Sequence, residues 1–353
     1  MGNAGPGSGR KGNENMERRY KIAVLPGDGI GPEVIDGAVA VLKSVMMKDP
    51  ELKLELIPAD VGEPAYEKYG NPLPPETVEL IKASHAVLFG AVGKYATPVI
   101  LPMRQKFELF ANVRPAYTFE GVPAIQKDVD IVIIRENTED VYKGIGYNID
   151  QSSFVALRLF TAKGMERIIR YSFEFARRER RKSVLLAHKA PVIQHTDLPF
   201  LELFNRLSQE YPDIEAKDML IDSCAMRIVM TPQAFDVILV SNLMGDILSD
   251  VAAGVIGGLG FAPSGNIGEK LAVFEPIHGS APEFAGKHKV NPIGAILAAR
   301  MMLDWLGEKE AASGIHKAVA EVLKKGKVRT FDLGGEATTE ELAKEIADRV
   351  YPG

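Results

Sequence analysis

The chain has 353 residues, 46% hydrophobic and 25% charged, with a formal net charge of −5. That composition excludes a disordered chain, and the negative balance removes any general electrostatic case for nucleic-acid binding. The single cysteine, Cys224, excludes an intramolecular disulfide and fits a reducing, cytoplasmic setting as an inert core thiol, while no apolar run reaches the roughly 18 residues of a membrane span.

Residues 1–19 are rich in Gly, Asn, Ser and Arg and lack an apolar h-region, so they read not as a signal peptide but as a disordered tail or an upstream start codon read too early. A strand over 20–25 runs into Pro26-Gly-Asp-Gly-Ile-Gly31, and a helix follows over 32–45 with Pro32 in its first turn. The glycines alternate without the G-x-G-x-x-G spacing, which favours a tight turn over a standard dinucleotide site. Further strands are expected over 86–89, over 129–134 with Arg135-Glu136-Asn137 at its mouth, over 183–187 delivering His188 and Lys189, and over 237–240. This alternation with helices predicts an α/β protein of largely parallel strands covered by helices. The basic run 177–182 fits a solvated helix end, where cations are favourable on dipole grounds. A capping-box pattern, Thr338 to Glu341, opens a last helix that is structural.

Asp246 and Asp250 follow the strand at 237–240 and stand four apart, on one face of the helix that opens there. Like charges so placed repel, and a hard divalent ion, Mg²⁺ or Mn²⁺, gives them a reason; two acids on a solvated helix face are the alternative. Arg104, Arg114 and Arg135 lie near strand ends or on facing helices. The planar fork of Arg grips a carboxylate through paired hydrogen bonds, so three of them beside the aspartates suit a small polycarboxylate plus a metal. Tyr142 and Lys189 can exchange protons when a pocket shifts their pKa. The Gly/Pro/Ala-rich loop over 275–292, with His278 and Asn291 as side-chain donors, lets a ligand approach the backbone; a turn-rich connector is the other reading.

Together, Gly27-Asp-Gly-Ile-Gly-Pro-Glu33, Arg104 to Arg114, Arg135-Glu-Asn-Thr-Glu-Asp-Val-Tyr142, Lys189, Asp222, Asn242-Leu-Met-Gly-Asp-Ile-Leu-Ser-Asp250 and His278-Gly-Ser-Ala-Pro282 resemble the decarboxylating β-hydroxyacid dehydrogenases, the isocitrate/isopropylmalate dehydrogenase family. The likeness runs from about Tyr20 to the C-terminus. It implies a two-domain α/β fold with parallel and mixed sheets flanked by helices and no standard Rossmann unit. Residues 20–109 and 257–353 would form a large cofactor-binding domain, and 110–256 a small domain carrying the dimer interface and the metal and substrate residues. It implies that Arg104, Arg114 and Arg135 hold substrate carboxylates, that Asp246 and Asp250 bind Mg²⁺ or Mn²⁺, and that Asp222 of a neighbouring subunit joins metal and substrate. Lys189, also from the neighbour, would act as general base through a water, and Tyr142 as the acid that protonates the product enolate. The expected partner is a second copy, as a homodimer or a tetramer.

Thr97 and the loop residues His278, Gly279, Ser280, Ala281, Pro282, Glu283, Phe284 and Asn291 are the implied dinucleotide contacts. NADP-using relatives place Lys-Tyr where this chain has Glu283-Phe284; a carboxylate there favours NAD by accepting ribose hydroxyls and repelling a 2′-phosphate. Isocitrate-type members place Ser and Asn in slots held here by Pro98 and Ile100. With Leu101 and Val192 the expected wall is apolar and suits 3-isopropylmalate, oxidised to 2-oxoisocaproate in leucine biosynthesis; isocitrate and homoisocitrate are the alternatives. Two features depart from that reading: Pro191 replaces the usual Asn thought to touch the nicotinamide, and residues 283–292 look isocitrate-like. A non-catalytic regulatory subunit would have lost part of the Lys, Tyr and Asp set, all of which is intact.

Overall fold

The computed structural model describes residues 18–350. In chain order its strands are β1 (Arg18–Gly27), β2 (Leu52–Pro58), β3 (Ala86–Ala91), β4 (Ala111–Tyr117), β5 (Asp130–Glu136), β6 (Gly146–Asn148), β7 (Phe154–Ala156), β8 (Ser183–His188), β9 (Glu215–Leu220), β10 (Val237–Val240), β11 (Pro263–Ile267) and β12 (Ala272–Pro276). The helices are α1 (Gly31–Lys48), α2 (Glu63–Tyr69), α3 (Pro75–Lys82), α4 (Ala96–Lys106), α5 (Ala162–Arg178), α6 (Asp197–Ser208), α7 (Ile221–Met230), α8 (Asn242–Val255), α9 (Ile293–Trp305), α10 (Lys309–Lys325) and α11 (Thr339–Arg349). Most of the expected tail lies outside the described residues. Its last two residues are a correction: Arg18 and Arg19 begin β1, because the Arg18 guanidinium meets Glu308 at 2.6 Å and Asp49 at 2.5 Å. Among the described residues no helix is long and apolar enough to cross a membrane.

The described chain divides into two compact units. The first takes 18–103, 119–123 and 257–350, with strand order β2-β1-β3-β12-β11. Its strands run parallel except for the β11–β12 pair. β3 is buried along its whole length, as a central strand covered on both faces must be. α1 buries Val34, Ile35, Ala38, Val41, Leu42 and Val45, a stripe at helical spacing. The Pro26–Gly31 turn is structural: a Cβ at Gly27 would lie 1.9 Å from the Ala91 carbonyl oxygen, and one at Gly29 2.0 Å from that of Ser280. Asp28 is buried inside this turn and accepts the backbone N–H groups of Glu63 at 2.6 Å and Gly93 at 2.9 Å. At the far end Thr338 and Glu341 close the reciprocal capping box of α11.

The second unit takes 104–118 and 124–256, with strand order β4-β5-β10-β8-β9. β5, β10, β8 and β9 are parallel, and β4 is antiparallel to β5. Arg135 pairs with Val240, and Val240 pairs with Ala187, so the chain leaves these three strands at one edge. Ligands bind at such C-terminal edges. The antiparallel β4 places Asn112 opposite Arg135, and Arg114, two residues on, shares that face. The same pairing extends β5 through Arg135 and Glu136, past the expected end at 134.

Candidate active site

Arg135 anchors the site. Its side chain is 1% exposed, and its Nε and Nη2 donate to Asn242 Oδ1 at 3.0 and 2.7 Å while Nη1 pairs with Asp246. α8 can lie this close to β5 because Gly245 faces Arg135: a Cβ there would fall 2.7 Å from Arg135 Cγ. Arg114, also buried, donates to Asn112 Oδ1 and Ser249 Oγ, each at 2.6 Å, and its Nη1 lies 3.3 Å from Asp246 and 3.7 Å from Asp250. Tyr142 stands in a short 3-10 turn, Val141–Lys143; its hydroxyl donates to Asp246 Oδ2 at 2.5 Å, and its ring lies 5.1 Å from the Arg135 guanidinium. Arg104 is buried near the end of α4, and its charge is felt at both Tyr142 and Asp246. Arg104, Arg114, Arg135, Tyr142, Asp246 and Asp250 therefore converge. Asn112, Asn242 and Ser249, which orient the arginines, were not singled out from the sequence; the Ser-Asn preceding Leu243 was the available signal.

The two aspartates are shifted in opposite directions. Burial pushes the Asp246 carboxyl up, but Arg135 and Arg114 outweigh it and hold the group below the usual aspartate range. Asp250 is raised, by burial first and by the neighbouring Asp246, against the pull of Arg114. Tyr142 is raised by burial and by its hydrogen bond to Asp246, so the phenol keeps its proton. The pair fits a hard divalent ion, being oxygen donors one helical turn apart with one of them held ionised. Among the described residues no third potential ligand joins them.

Lys189 and Asp222 stand together elsewhere in the unit. Lys189 Nζ donates to Asp222 Oδ1 at 2.7 Å, and that ammonium holds Asp222 below its usual range. Lys189 leaves β8 in a turn fixed by His188, whose Nδ1 accepts the Ala190 N–H at 3.0 Å and whose Nε2 lies 3.1 Å from Asp218. Val192 is 72% exposed on the same turn. Cys224 is buried within α7, its thiol pushed up to about 12 by burial, which leaves it inert. Within the basic run, Arg177 pairs with Asp213, Arg178 with Glu179, and Arg181 with Asp130 and Asp236.

In the first unit the loop after β12 is held to the Pro26–Gly31 turn, with the Ile30 N–H donating to the Ser280 carbonyl at 2.9 Å. His278 Nε2 is buried with no hydrogen-bond partner, and burial lowers the imidazole, so it is neutral. A Cβ added at Gly279 would meet nothing within 4 Å, so the backbone there is open to approach. Ala281 adopts the left-handed conformation, φ +35°, beside the exposed Glu283, and Phe284 stacks on Phe331 at 5.2 Å. Because His278 Nδ1 donates to the Gly279 carbonyl at 3.0 Å, Nε2 of the neutral ring is an orphaned buried acceptor, and with the open backbone beside it this fits a polar ligand such as a dinucleotide. Asn291 is engaged internally: its amide donates to Asp332 at 2.9 Å and its oxygen accepts the Ile293 N–H at 3.0 Å, which starts α9. Thr97 is exposed on the first turn of α4, and Ile100 and Leu101 are half-buried on the next.

Residues 21–349 match the isocitrate/isopropylmalate dehydrogenase family. The chain belongs to that family. It is 47% identical, over 94% of its length and 99% of the relative, to a 3-isopropylmalate/3-methylmalate dehydrogenase of Methanocaldococcus jannaschii. It is 45% identical, over 93% and 98%, to an isocitrate/homoisocitrate dehydrogenase of Thermus thermophilus. Its fold superposes on the crystal structure of isocitrate dehydrogenase from Methylococcus capsulatus with a TM-score of 0.89 and 43% identity, covering 94% of this chain and 99% of that one. The α/β fold of this dehydrogenase family is therefore the fold of this chain.

Proposed function

We propose that the chain catalyses the metal- and NAD-dependent oxidative decarboxylation of a 3-substituted malate, with 3-isopropylmalate as the preferred substrate and 2-oxoisocaproate as the product. The observation that carries this is the convergence of Arg114, Arg135 and Tyr142 on Asp246, with Asp250 one turn beyond. Two cations and a protonated phenol around an ionised carboxylate suit a dianionic substrate that loses one carboxylate and must then be protonated. In this reading the first unit binds the dinucleotide and the second carries substrate, metal and dimer contacts.

Asp246 and Asp250 would hold Mg²⁺ or Mn²⁺, and the loop from His278 to Asn291, with Thr97, would hold NAD. When bound, the ion supplies positive charge at the C2 oxygen and the nicotinamide supplies the hydride acceptor. The arginines grip the two carboxylates of the malate core and fix C2 and C3 relative to Tyr142. Lys189, through a water, takes the C2 hydroxyl proton as the C2 hydrogen departs. Loss of CO₂ leaves electron density at C3, where the Tyr142 phenol delivers its proton; the raised pKa of that phenol keeps the proton available until then. Arg114 and Arg135 stay charged throughout and stabilise the developing anion.

Lys189 and Asp222 are paired with each other, and the Asp246–Asp250 pair gains no third ligand among the described residues. Both facts support a site completed by Lys189 and Asp222 of a second copy, and hence a homodimer at least. For the substrate, Pro98, Ile100 and Leu101 on α4 offer no charge to a third carboxylate. Burying one unpaired against them would cost several kcal/mol, roughly. Isocitrate or homoisocitrate is the second reading, favoured by the sequence of 283–292 and by the Thermus relative. Absorbance at 340 nm with NAD⁺, Mn²⁺ and each acid in turn tests the choice. The proposal requires the highest kcat/KM on 3-isopropylmalate; a preference for isocitrate or homoisocitrate overturns the substrate and leaves the reaction class.

A further inference from the structure

The loop between β7 and α5 carries a half-buried cation that the proposed chemistry does not use. Arg158 Nε donates to Asp140 Oδ1 at 2.6 Å, its Nη2 to Asp140 Oδ2 at 3.1 Å and to Ser241 Oγ at 3.0 Å, and its Nη1 to Asp197 Oδ1 at 3.0 Å. Asp140 is 0% exposed and Asp197 1% exposed. Two buried carboxylates within reach of one guanidinium are costly to assemble unless the geometry has a use.

Each carboxylate has a second hydrogen-bonding task, and those tasks lead to three pieces of the proposed machinery: two belong to this copy's site, and the third, Lys189, to the site it completes in a second copy. Asp140 Oδ1 accepts the Val141 N–H at 2.9 Å and so starts the turn that presents Tyr142. Asp140 Oδ2 accepts the Leu243 N–H at 3.1 Å, in the first turn of α8, the helix of Asp246 and Asp250. Asp197 Oδ2 accepts the backbone N–H of Lys189 at 2.7 Å. The backbone at Asp140 is itself strained: φ is +68° and ψ −152°, a region that is essentially reserved for glycine. An aspartate held there keeps a conformation that only its surroundings can enforce, and the Arg158 guanidinium is the group that grips it.

We propose that Arg158, acting through Asp140 and Asp197, is a positioning residue that sets the Tyr142 turn, the start of α8 and the Lys189 backbone relative to one another. The inference rests on the dehydrogenase chemistry proposed above for what those three pieces do, but the linkage itself can be measured without turnover. Hydrogen exchange by mass spectrometry on the full-length protein reads all three segments, because each depends on an amide donated to this cluster. Arg158→Met should speed exchange at 141–143, 242–245 and 189–190 together. Asp140→Gly, which also relieves the backbone strain, should speed the first two and leave the third protected by Asp197. Asp197→Asn should affect 189–190 alone.

Kinetics supply the second readout. Displacing reacting groups by an ångström costs on the order of 100-fold in rate, so Arg158→Met should lower kcat by about 30-fold or more with KM for NAD⁺ changed by less than about twofold. Arg158→Lys keeps the charge but not the fork, and should recover part of that loss. Should Arg158→Met fail to fold, Arg158→Lys and Asp140→Gly carry the same comparison. Exchange at Lys189 unchanged in both Arg158 variants that fold, or kcat within about threefold of the unmutated protein despite loosened segments, would overturn the proposal. Unmutated protein that oxidises none of the three acids would instead sink the functional reading, with the exchange pattern still deciding the linkage.

Discussion

Asp246→Asn is the most informative single perturbation of the site. The carboxylate meets the Arg135 guanidinium, the Arg114 Nη1 at 3.3 Å and the Tyr142 hydroxyl at 2.5 Å. Removing one partner of a fully buried ion pair costs about 3–5 kcal/mol, whereas an exposed pair is worth about 1 or less. Arg135 is 1% exposed but Asp246 is 38% exposed, and Arg135 keeps both hydrogen bonds to Asn242. The expected loss is therefore intermediate, about 2 kcal/mol, or about 3 °C in Tm for a chain of this length. The pH dependence has a definite sign. The folded pKa of Asp246 lies below its ordinary value, so its stabilisation is fully present above about pH 4 and is lost as pH falls through the folded pKa. The gap between the two proteins should thus close on acidification below about pH 4. Thermal melts with and without Mn²⁺ complete the test. An ion at about 100 times its Kd stabilises by about 2.7 kcal/mol, and the variant should lose most of that increment together with its metal-dependent turnover. Equal melting at neutral pH, a gap undiminished at pH 3, or an undiminished Mn²⁺ increment would refute the reasoning.

Other consequences can be checked on the same protein. Asp250 is raised by burial and by Asp246, so Mn²⁺ affinity should fall on acidification toward the aspartate range, with proton release on binding there; calorimetric titrations at about pH 7.5 and 4 that give equal affinity would count against a carboxylate site. Tyr142→Phe should lower kcat by about 100-fold while leaving the fold intact, as loss of a general acid does. Mixing it with inactive Lys189→Ala should regenerate activity as subunits exchange, whereas a fully active monomer in light scattering would end the shared-site proposal. NAD⁺ should be preferred over NADP⁺ by at least about tenfold in kcat/KM, roughly 1.4 kcal/mol, and Glu283→Lys should narrow that gap; equal use of both cofactors would remove Glu283 from the argument.

β1, β3, β5, β8, β10, α1, α8 and α11 were legible because their patterns are strong. The apolar run of β10, the stripe of α1 and the Thr338–Glu341 box each have one reading. β9 is polar and largely exposed, and β11, Pro263-Ser-Gly-Asn-Ile267, carries turn-forming residues, so neither announces itself as a strand. Their assignment comes from pairing with β8 and β12. The arginines and the aspartate pair could be listed from the sequence. Their convergence could not, because it depends on the register that sets Asn112 opposite Arg135 and on the close approach at Gly245. The roles of Asp140 and Arg158 were illegible for a related reason: each looks like an ordinary surface charge until the fold buries Asp140 and half-buries Arg158 against it.

The most direct measurement couples NADH formation to CO₂ release from 3-isopropylmalate, with Mn²⁺ added and then chelated. Equimolar NADH and CO₂ that cease on chelation and return with Mn²⁺ are the expected result. NADH without CO₂, or turnover indifferent to chelation, would contradict a metal-dependent oxidative decarboxylation at the Asp246–Asp250 site.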